Sequence, residues 1–162
     1  MDDKICEHLA TLTKDASLVL LFYPVKNEPN LLSLAKNLLT AGVSVAFPIS
    51  IKDTTTLDFR KISSLDELKE GAYGIPEPPA NKPNRIALEG AICITPALAV
   101  DMRGFRLGYG KGYYDRFFKN NPSVRKIGVA YQSFIARSLP FDEHDIPLDL
   151  IITEKGAIVP NG

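Results

Sequence analysis

The sequence predicts a three-layer α/β/α fold, a single domain over residues 1–162 built on a mainly parallel β-sheet. Short apolar runs rich in β-forming residues recur along the chain, and an amphipathic helical pattern joins the first two of them. A chain of 162 residues with 45% hydrophobic composition can bury one core, and it is too short for two ordinary domains.

The first fifty residues carry the pattern of a parallel βαβ unit. Residues 17–23 are an apolar run that ends before Pro24, which predicts a buried strand after a short polar helix. Leucines and alanines then recur at three- and four-residue spacing over residues 29–40, and Gly42 follows as a helix stop. Residues 43–47 predict the next strand, so strand, helix and strand follow in order.

The rest of the chain predicts further strands of the same sheet. Residues 52–80 alternate less clearly and end in a proline-rich segment, so we expect a surface excursion there. Strands are predicted at residues 91–95, 126–131 and 148–153, and a helix is predicted at residues 113–119. Five or more strands, mostly parallel, therefore form the expected sheet.

Composition and charge exclude several classes of function. Lys+Arg and Asp+Glu are balanced at 19 each, so no basic excess exists to hold a nucleic acid. Neither a signal peptide nor a run long enough to span a membrane is visible, so we expect a soluble, cytoplasmic protein, and a monomer. Cys6 and Cys93 lack partners at disulfide or zinc spacing and are expected to be reduced thiols.

A glycine-rich segment carries the chemistry. Between the predicted strand at 91–95 and the helix at 113–119, four glycines crowd into nine positions: Gly104, Gly108, Gly110 and Gly112. Such glycines let backbone amides approach an anion, and the following helix directs its free N–H groups toward the same point. Arg106 and Lys111 add positive charge that suits a polyphosphate. The spacing alone leaves open whether this loop binds phosphate or only connects a strand to a helix.

The loop matches neither common nucleotide-binding motif. Phe105 occupies the position of the first P-loop glycine, and no Ser or Thr follows Lys111. Tyr113 replaces the third glycine of G-x-G-x-x-G. Asp115, one turn into the helix, offers a hard oxygen ligand for Mg²⁺, and its alternative role is an i, i+4 pair with Lys119.

The segment Arg106-Leu-Gly-Tyr-Gly-Lys-Gly-Tyr-Tyr-Asp-Arg116 resembles a family hallmark. It matches without a gap the R-L-G-x-G-x-G-[YF]-Y-D-R motif of the 5-formyltetrahydrofolate cyclo-ligases, also called methenyltetrahydrofolate synthetases. The similarity covers about residues 15–155. Weaker features fall in the same order: Tyr23-Pro with Glu28, Phe47-Pro48 closing the second strand, residues 74–78, His144-Asp145, Leu148-Asp149 and Thr153-Glu154.

The resemblance implies an ATP-dependent enzyme that acts on small molecules. Members of this family use ATP and Mg²⁺ to convert 5-formyltetrahydrofolate to 5,10-methenyltetrahydrofolate, with release of ADP and phosphate. The formyl oxygen would be phosphorylated and N10 would then attack the activated carbon. No separate general base is expected.

The resemblance also implies a role for individual residues. The ATP phosphates would be wrapped by the loop residues Arg106, Leu107, Gly108, Tyr109, Gly110, Lys111, Gly112, Tyr113 and Tyr114. The folate would contact Glu28 and the middle of the loop, namely Tyr109, Gly110, Lys111, Gly112 and Tyr113. Mg²⁺ would be held by Asp115 and Asp145.

One family feature departs from this pattern. The resemblance implies an N-terminal helix of the K-x-x-x-R type that reaches the ATP phosphates, and the sequence before the first strand offers only Lys4 and Lys14. We therefore expect Lys52 or Arg103 to replace those cations, or ATP affinity to be reduced. Two rival functions follow: a nucleotide- or folate-binding protein without turnover, and a sugar-phosphate isomerase, which would need a carboxylate base and no ATP.

Several residues keep a structural alternative. Glu28 is either a substrate ligand or a charge at the N-terminus of the predicted helix. His144 is either near the site or part of a surface pair with Asp145. Tyr113, Tyr114, Phe117 and Phe118 lie at helical spacing, and of these Phe117 and Phe118 are predicted to be core residues.

Overall fold

A computed structural model describes residues 1–81 and 86–161. The α-helices within these residues are α1 (Asp2–Thr13), α2 (Leu32–Thr40) and α3 (Tyr113–Asn120). The strands in the same residues are, in chain order, β1 (Leu18–Leu20), β2 (Ser44–Ile51), β3 (Thr56–Ile62), β4 (Lys69–Glu70), β5 (Pro76–Glu77), β6 (Ile92–Pro96), β7 (Ala99–Asp101), β8 (Arg106–Leu107), β9 (Arg125–Val129), β10 (Ile135–Ala136), β11 (Leu150–Thr153) and β12 (Gly156–Ile158).

A seven-stranded sheet with the order β12-β11-β9-β6-β1-β2-β3 forms the centre of the fold. Its five inner strands are parallel to one another, and the two edge strands β3 and β12 pair antiparallel with their neighbours. The predicted mainly parallel sheet is confirmed. A small sheet, β10-β7-β8, lies beside the cleft that is described below.

Alternate residues of the inner strands point into two separate cores, as the pleat of a strand requires. Val19 and Leu21 pack in one core with the buried faces of α1 and α2. Leu18 and Leu20 pack in the other core with Phe117 and Phe118 of α3. The helices therefore cover both faces of the sheet, and the predicted three layers and the core position of both phenylalanines are confirmed.

The predicted surface excursion at residues 52–80 is partly wrong. It contains β3, which pairs with β2 over seven residues from Thr56 to Ile62 and extends the main sheet. The second strand also does not close at Phe47-Pro48, because β2 continues to Ile51. Since β1 pairs with β2 only as far as Ala46, the missing N–H of Pro48 removes no hydrogen bond between those two strands.

Several predicted boundaries are also shifted. The second helix begins at Leu32 and not at residue 29, because the Asn30 Oδ1 atom accepts the Leu32 N–H at 3.0 Å and holds the preceding residues outside the helix. Of the strand predicted at residues 17–23, only Leu18–Leu20 form β1. The observed strands β6, β9 and β11 begin or end one or two residues from the bounds predicted for them, 91–95, 126–131 and 148–153. The prediction did not include β12.

The inner strands end at a common edge. The carboxyl ends of β1 and β6 lead into Phe22 and Ala97, which line a large cleft at this edge. Within residues 1–81 and 86–161, the helices are too short or too polar to cross a bilayer.

Candidate active site

A cleft of about 960 Å³ lies beyond the carboxyl ends of the inner strands. This volume is at the upper end of the range for small-molecule sites. All twelve residues that the sequence analysis selected line it: Glu28, Arg106, Leu107, Gly108, Tyr109, Gly110, Lys111, Gly112, Tyr113, Tyr114, Asp115 and Asp145. Residues that are distant in sequence therefore converge on one space.

The glycine-rich loop, residues 106–114, forms one wall of the cleft. The short β7–β8 pairing returns the chain toward the cleft, and the loop then runs directly into α3. Gly110 and Gly112 have φ values of 85° and 72°, a left-handed backbone that disfavours residues with a Cβ atom. Gly112 is the N-cap of α3, so the unpaired N–H groups of this helix begin at the cleft.

Arg106 forms no ion pair with a carboxylate of the residues that the structure describes. Its Nη1 donates to the Pro96 carbonyl oxygen at 3.2 Å, and its guanidinium carbon lies 5.2 Å from the centre of the Tyr114 ring. Its Nε is buried without a hydrogen-bond partner in the described residues. The positive charge lowers the pKa values of both Glu28 and Asp115, although burial outweighs it at each. An anion that entered between these groups would therefore meet an available guanidinium.

Glu28 is a buried carboxyl group at 7% exposure. Burial raises its pKa to about 6, and the Val25 N–H, which donates to Oε1 at 2.9 Å, and the Arg106 charge partly oppose this rise. Because α2 begins only at Leu32, Glu28 is not a charge in the first turn of that helix, and this structural alternative is wrong.

Asp115 and Asp145 both line the cleft and are close enough for the charge of Asp145 to act on Asp115. Asp115 Oδ1 accepts the Ile146 N–H at 3.2 Å. Burial raises the pKa of Asp115; Arg106 and the Ile146 N–H lower it, and Asp145 adds a further rise. Both Asp115 and Lys119 are described residues, and no ion pair joins them, so the surface-pair alternative is wrong as well.

The two carboxylates of Asp115 and Asp145 suit Mg²⁺. No group of three or more His, Cys, Asp and Glu side chains with metal-binding geometry occurs within the described part of the chain. Mg²⁺ is commonly held by one or two protein carboxylates while phosphates and water supply its other ligands. Two adjacent carboxylates in a cleft fit that arrangement, and a cation between them would relieve their mutual repulsion.

Tyrosines join the loop to the opposite wall. The hydroxyl groups of Tyr73 and Tyr113 are 2.8 Å apart, and the Nζ of Lys52 lies 4.5 Å from the centre of the Tyr73 ring. Burial, followed by the hydrogen bond and charge of Tyr73, raises the pKa of Tyr113 to about 12, so the Tyr113 hydroxyl remains protonated near neutral pH. The pair links residues 73–77 to the start of α3.

The sequence profile of the 5-formyltetrahydrofolate cyclo-ligase family matches residues 1–154. The chain belongs to this family. The cyclo-ligases of Mycolicibacterium smegmatis and Haemophilus influenzae are each 30% identical to it, over 93% of this chain and 80% and 84% of their own lengths. The NMR structure of the 5,10-methenyltetrahydrofolate synthetase of Aquifex aeolicus superposes with a TM-score of 0.79, at 31% identity, over 99% of this chain and 81% of that one.

Some residues that line the cleft of this cyclo-ligase family member were not predicted from the sequence to be site residues. They are Lys26, Tyr73, Arg116, Lys119 and Asp142. Tyr73 directly precedes the Gly-Ile-Pro segment that is one of the weaker family features, so its place in the sequence could have identified it as a candidate site residue. The others follow only from the way distant loops meet.

The expected replacement cations, Lys52 and Arg103, are not among the residues that line the cleft. Lys52 lies over the ring of Tyr73, which does line it, and Arg103 is bound to Asp101. Among residues 1–81 and 86–161, the lysines and arginines that line the cleft are Lys26, Arg106, Lys111, Arg116 and Lys119. His144 lines the cleft with its side chain 73% exposed, and its Nε2 lies 3.6 Å from Glu143 Oε1. It is therefore a surface residue near the site, and no ion pair joins it to the described Asp145.

Proposed function

We propose that this protein catalyses the ATP-dependent cyclisation of 5-formyltetrahydrofolate to 5,10-methenyltetrahydrofolate, with release of ADP and phosphate. The observation that carries the proposal is the convergence on one cleft of the glycine-rich loop, a buried glutamate and a carboxylate pair, in a chain that belongs to the cyclo-ligase family. Each group has a separate task in this chemistry.

The reaction needs activation because the N5-formyl group is an amide whose oxygen leaves poorly. A new P–O bond would form between the γ-phosphorus and the formyl oxygen while the bond to the β-phosphate oxygen breaks and ADP departs. N10 would then attack the formyl carbon and lose its proton as phosphate leaves with the former formyl oxygen. Attack within one held molecule gains an effective molarity on the order of 10⁵ M.

The glycine-rich loop would bind the ATP phosphates. Residues 106–114 and the start of α3 line the cleft, so their backbone N–H groups could donate hydrogen bonds to phosphate oxygens there. Arg106, with its unpartnered Nε, and Lys111 would neutralise negative charge as the phosphoryl group moves. The same loop faces the interior, so its middle, Tyr109 to Tyr113, would also contact the folate.

Glu28 would orient the folate. A buried carboxylate can accept paired N–H donors from a pterin edge, and burial makes such charged hydrogen bonds selective. With a pKa of about 6, the group is mostly ionised at neutral pH and is ready to accept.

Asp115 and Asp145 would hold Mg²⁺, directly or through water. When bound, the ion would supply positive charge that offsets the phosphate charge. Asp142 N–H donates to Asp145 Oδ2 at 3.0 Å and would keep that carboxylate oriented.

An assay of the methenyl chromophore tests the proposal. Purified protein incubated with 5-formyltetrahydrofolate, ATP and Mg²⁺ should produce the chromophore, and omission of ATP should abolish it. Nucleotide binding without chromophore would identify a binding protein, and ATP-independent turnover of a sugar phosphate would identify an isomerase; either result contradicts the proposal.

Isotope labelling tests the proposed intermediate. Substrate that carries ¹⁸O in its formyl group should transfer that oxygen to the released inorganic phosphate. Product formation with the label in water, and none in phosphate, would exclude phosphorylation of the formyl oxygen.

A further inference from the structure

A buried carboxylate outside the cleft collects an unusual number of donors. Asp101, at the end of β7, is fully buried. Its Oδ1 accepts the N–H groups of Arg103 and Phe105 at 3.0 and 3.2 Å, and its Oδ2 accepts the Leu139 N–H at 2.9 Å. The Arg103 side chain adds two more bonds to Oδ2, at 3.2 and 2.7 Å. This carboxylate therefore joins two segments that lie almost forty residues apart.

Arg103 completes the connection from the other side. Its Nη2 donates to the Leu139 carbonyl oxygen at 2.8 Å and to Ser138 Oγ at 3.1 Å. Both backbone polar groups of Leu139 are thus bound by the Asp101–Arg103 pair. The guanidinium carbon also lies 5.2 and 4.8 Å from the ring centres of Phe105 and Phe141, which stack 4.1 Å apart.

The segment that this pair holds is the one that carries Asp145. We call residues 139–148 the acidic loop. Its far end is fixed to the same turn, because the Leu148 N–H donates to the Gly104 carbonyl oxygen at 2.9 Å. A Cβ atom at Gly104, whose φ is 92°, would come within 2.9 Å of the Leu148 carbonyl oxygen, so a larger residue would push this end of the loop away.

The acidic loop is closed internally between these two anchors. Asp142 N–H donates to Asp145 Oδ2, and His144 N–H donates to Asp142 Oδ1 at 2.8 Å. The turn is therefore a compact unit whose placement depends on how its ends are held. The turn that holds the acidic loop, residues 101–105, leads directly into Arg106 at the start of the glycine-rich loop. One turn therefore supports both loops.

We propose that Asp101 and Arg103 are positioning residues that set the distance between the acidic loop, with Asp145, and the glycine-rich loop, with Arg106. The pair lies outside the cleft and touches neither substrate in the proposed function, on which this inference rests. Its effect is to align Asp145 with Asp115, so that metal-bound nucleotide is preferred to free nucleotide. Loss of the connection weakens that preference before it unfolds the protein.

The test variant is Arg103→Lys, which retains the positive charge and loses the fork that reaches Asp101, Ser138 and Leu139 together. Arg60→Lys is a matched control. Arg60 also donates Nε and Nη2 to the carboxylate two residues earlier, Asp58 Oδ2, at 3.2 and 2.7 Å, and Nη1 to the Ala80 carbonyl oxygen, and it does not line the cleft.

The readout is the ratio of the ATP dissociation constants in EDTA and in Mg²⁺, measured by calorimetry for each protein. Arg103→Lys should lower this ratio about tenfold relative to wild type, as loss of outer-shell support does at metal sites. Arg60→Lys should leave the ratio within about twofold, even where both variants lose similar thermal stability. An unchanged ratio in Arg103→Lys, an equal loss in Arg60→Lys, or no Mg²⁺ effect in wild type would overturn the inference.

Hydrogen exchange on the unaltered protein gives a second test that needs no variant. Addition of ATP with Mg²⁺ should protect the amides of residues 101–105 and of the acidic loop together, more than ATP in EDTA does. Protection of the acidic loop alone, or of neither segment, would contradict the proposed connection. Chromophore formation by wild type tests the proposed function separately, so failure of the inference can be distinguished from failure of the proposed function.

Discussion

Asp115 is the side chain at which we expect effects on activity and on folding to separate. Its raised pKa means that the folded protein disfavours the charged carboxylate, with burial as the main cause and Asp145 as a further one. Asp115→Asn retains an acceptor for the Ile146 N–H and removes the repulsion from Asp145. We expect turnover to fall about 100-fold or more, while the free energy of unfolding changes by less than about 1 kcal/mol. Steady-state kinetics and urea unfolding measure the two effects.

Asp149→Asn is the matched control for that substitution. Asp149 lies outside the cleft, accepts the Lys126 N–H at 2.8 Å and pairs with the Lys126 ammonium at 3.4 Å. We expect a loss of about 1 kcal/mol in stability and unchanged turnover. Equal losses of turnover and stability in Asp115→Asn would give Asp115 a structural role.

Glu28 should make folate binding depend on pH. Its pKa of about 6 means that the carboxylate, which in the proposed function would accept the pterin N–H donors, is present at pH 7 and largely lost at pH 5. The KM for 5-formyltetrahydrofolate should therefore rise as pH falls through about 6 in wild type. In Glu28→Gln, which cannot titrate, KM should be high and lack this inflection.

The same residue makes an opposite prediction for stability. Because the folded-state pKa lies above the ordinary value of 4.5, folding favours the protonated form. Its contribution is most favourable below pH 4.5 and declines as pH rises to about 6. Urea unfolding at pH 5 and 7 should show a smaller decline in Glu28→Gln than in wild type. An identical pH dependence in the two proteins would mean that Glu28 is not desolvated.

At the scale of an element, the glycine-rich loop can be tested by two glycines that share a backbone conformation. Gly110 and Gly42 have φ values of 85° and 83°, and a Cβ atom would meet nothing within 4 Å at either. A left-handed alanine costs about 1–2 kcal/mol. At Gly42, which follows α2, we expect this to appear as lost stability. At Gly110, in the exposed loop, it should appear as weaker ATP binding by about tenfold, because the loop relaxes away from its binding shape.

Calorimetric titration of ATP into Gly110→Ala and Gly42→Ala separates these effects. Unfolding curves of the same two proteins provide the complementary measurement. If both variants bind ATP as tightly as wild type does, the conformation of the loop is unimportant for the nucleotide.

The elements differ in how far the sequence could predict them. The parallel strands are continuous apolar runs, so their existence was clear, and only their ends were uncertain because pairing stops where the neighbouring strand stops. The residues of β3 are a mixture of apolar and charged side chains, so the sequence pattern does not predict a strand there. The segment is a strand because it pairs with β2. The beginning of α2 was placed early because Pro29 is a common first residue of helices, whereas Asn30 caps the first N–H here.

The candidate site was predictable to the extent that it lies in one motif. Residues 106–116 are contiguous, so the sequence alone identified the loop and Asp115. The Asp101–Leu139 connection and the Tyr73–Tyr113 contact join residues that are 38 and 40 positions apart. No local pattern marks such pairs, because they arise only when the sheet brings its loops to one edge.

At the scale of the whole molecule, bound nucleotide should stabilise the fold. In the described part of the chain, five lysines and arginines line the cleft, and of these Lys26 and Arg106 lie over aromatic rings. Ligand at a hundred times its dissociation constant adds about 2.7 kcal/mol. For a domain of this size we expect ATP with Mg²⁺ to raise Tm by roughly 5–10 °C. AMP, which lacks the β- and γ-phosphates, should shift Tm far less. Equal shifts by AMP and ATP would mean that the adenosine part of the nucleotide, and not its β- and γ-phosphates, accounts for the binding.

The measurement that tests the central claim most directly is a crystal structure with a non-hydrolysable ATP analogue, Mg²⁺ and 5-formyltetrahydrofolate. The account predicts the phosphates against the backbone of residues 106–114, the metal beside Asp115 and Asp145, and the formyl oxygen facing the γ-phosphate. Nucleotide density in another pocket, with this loop left empty, would contradict it.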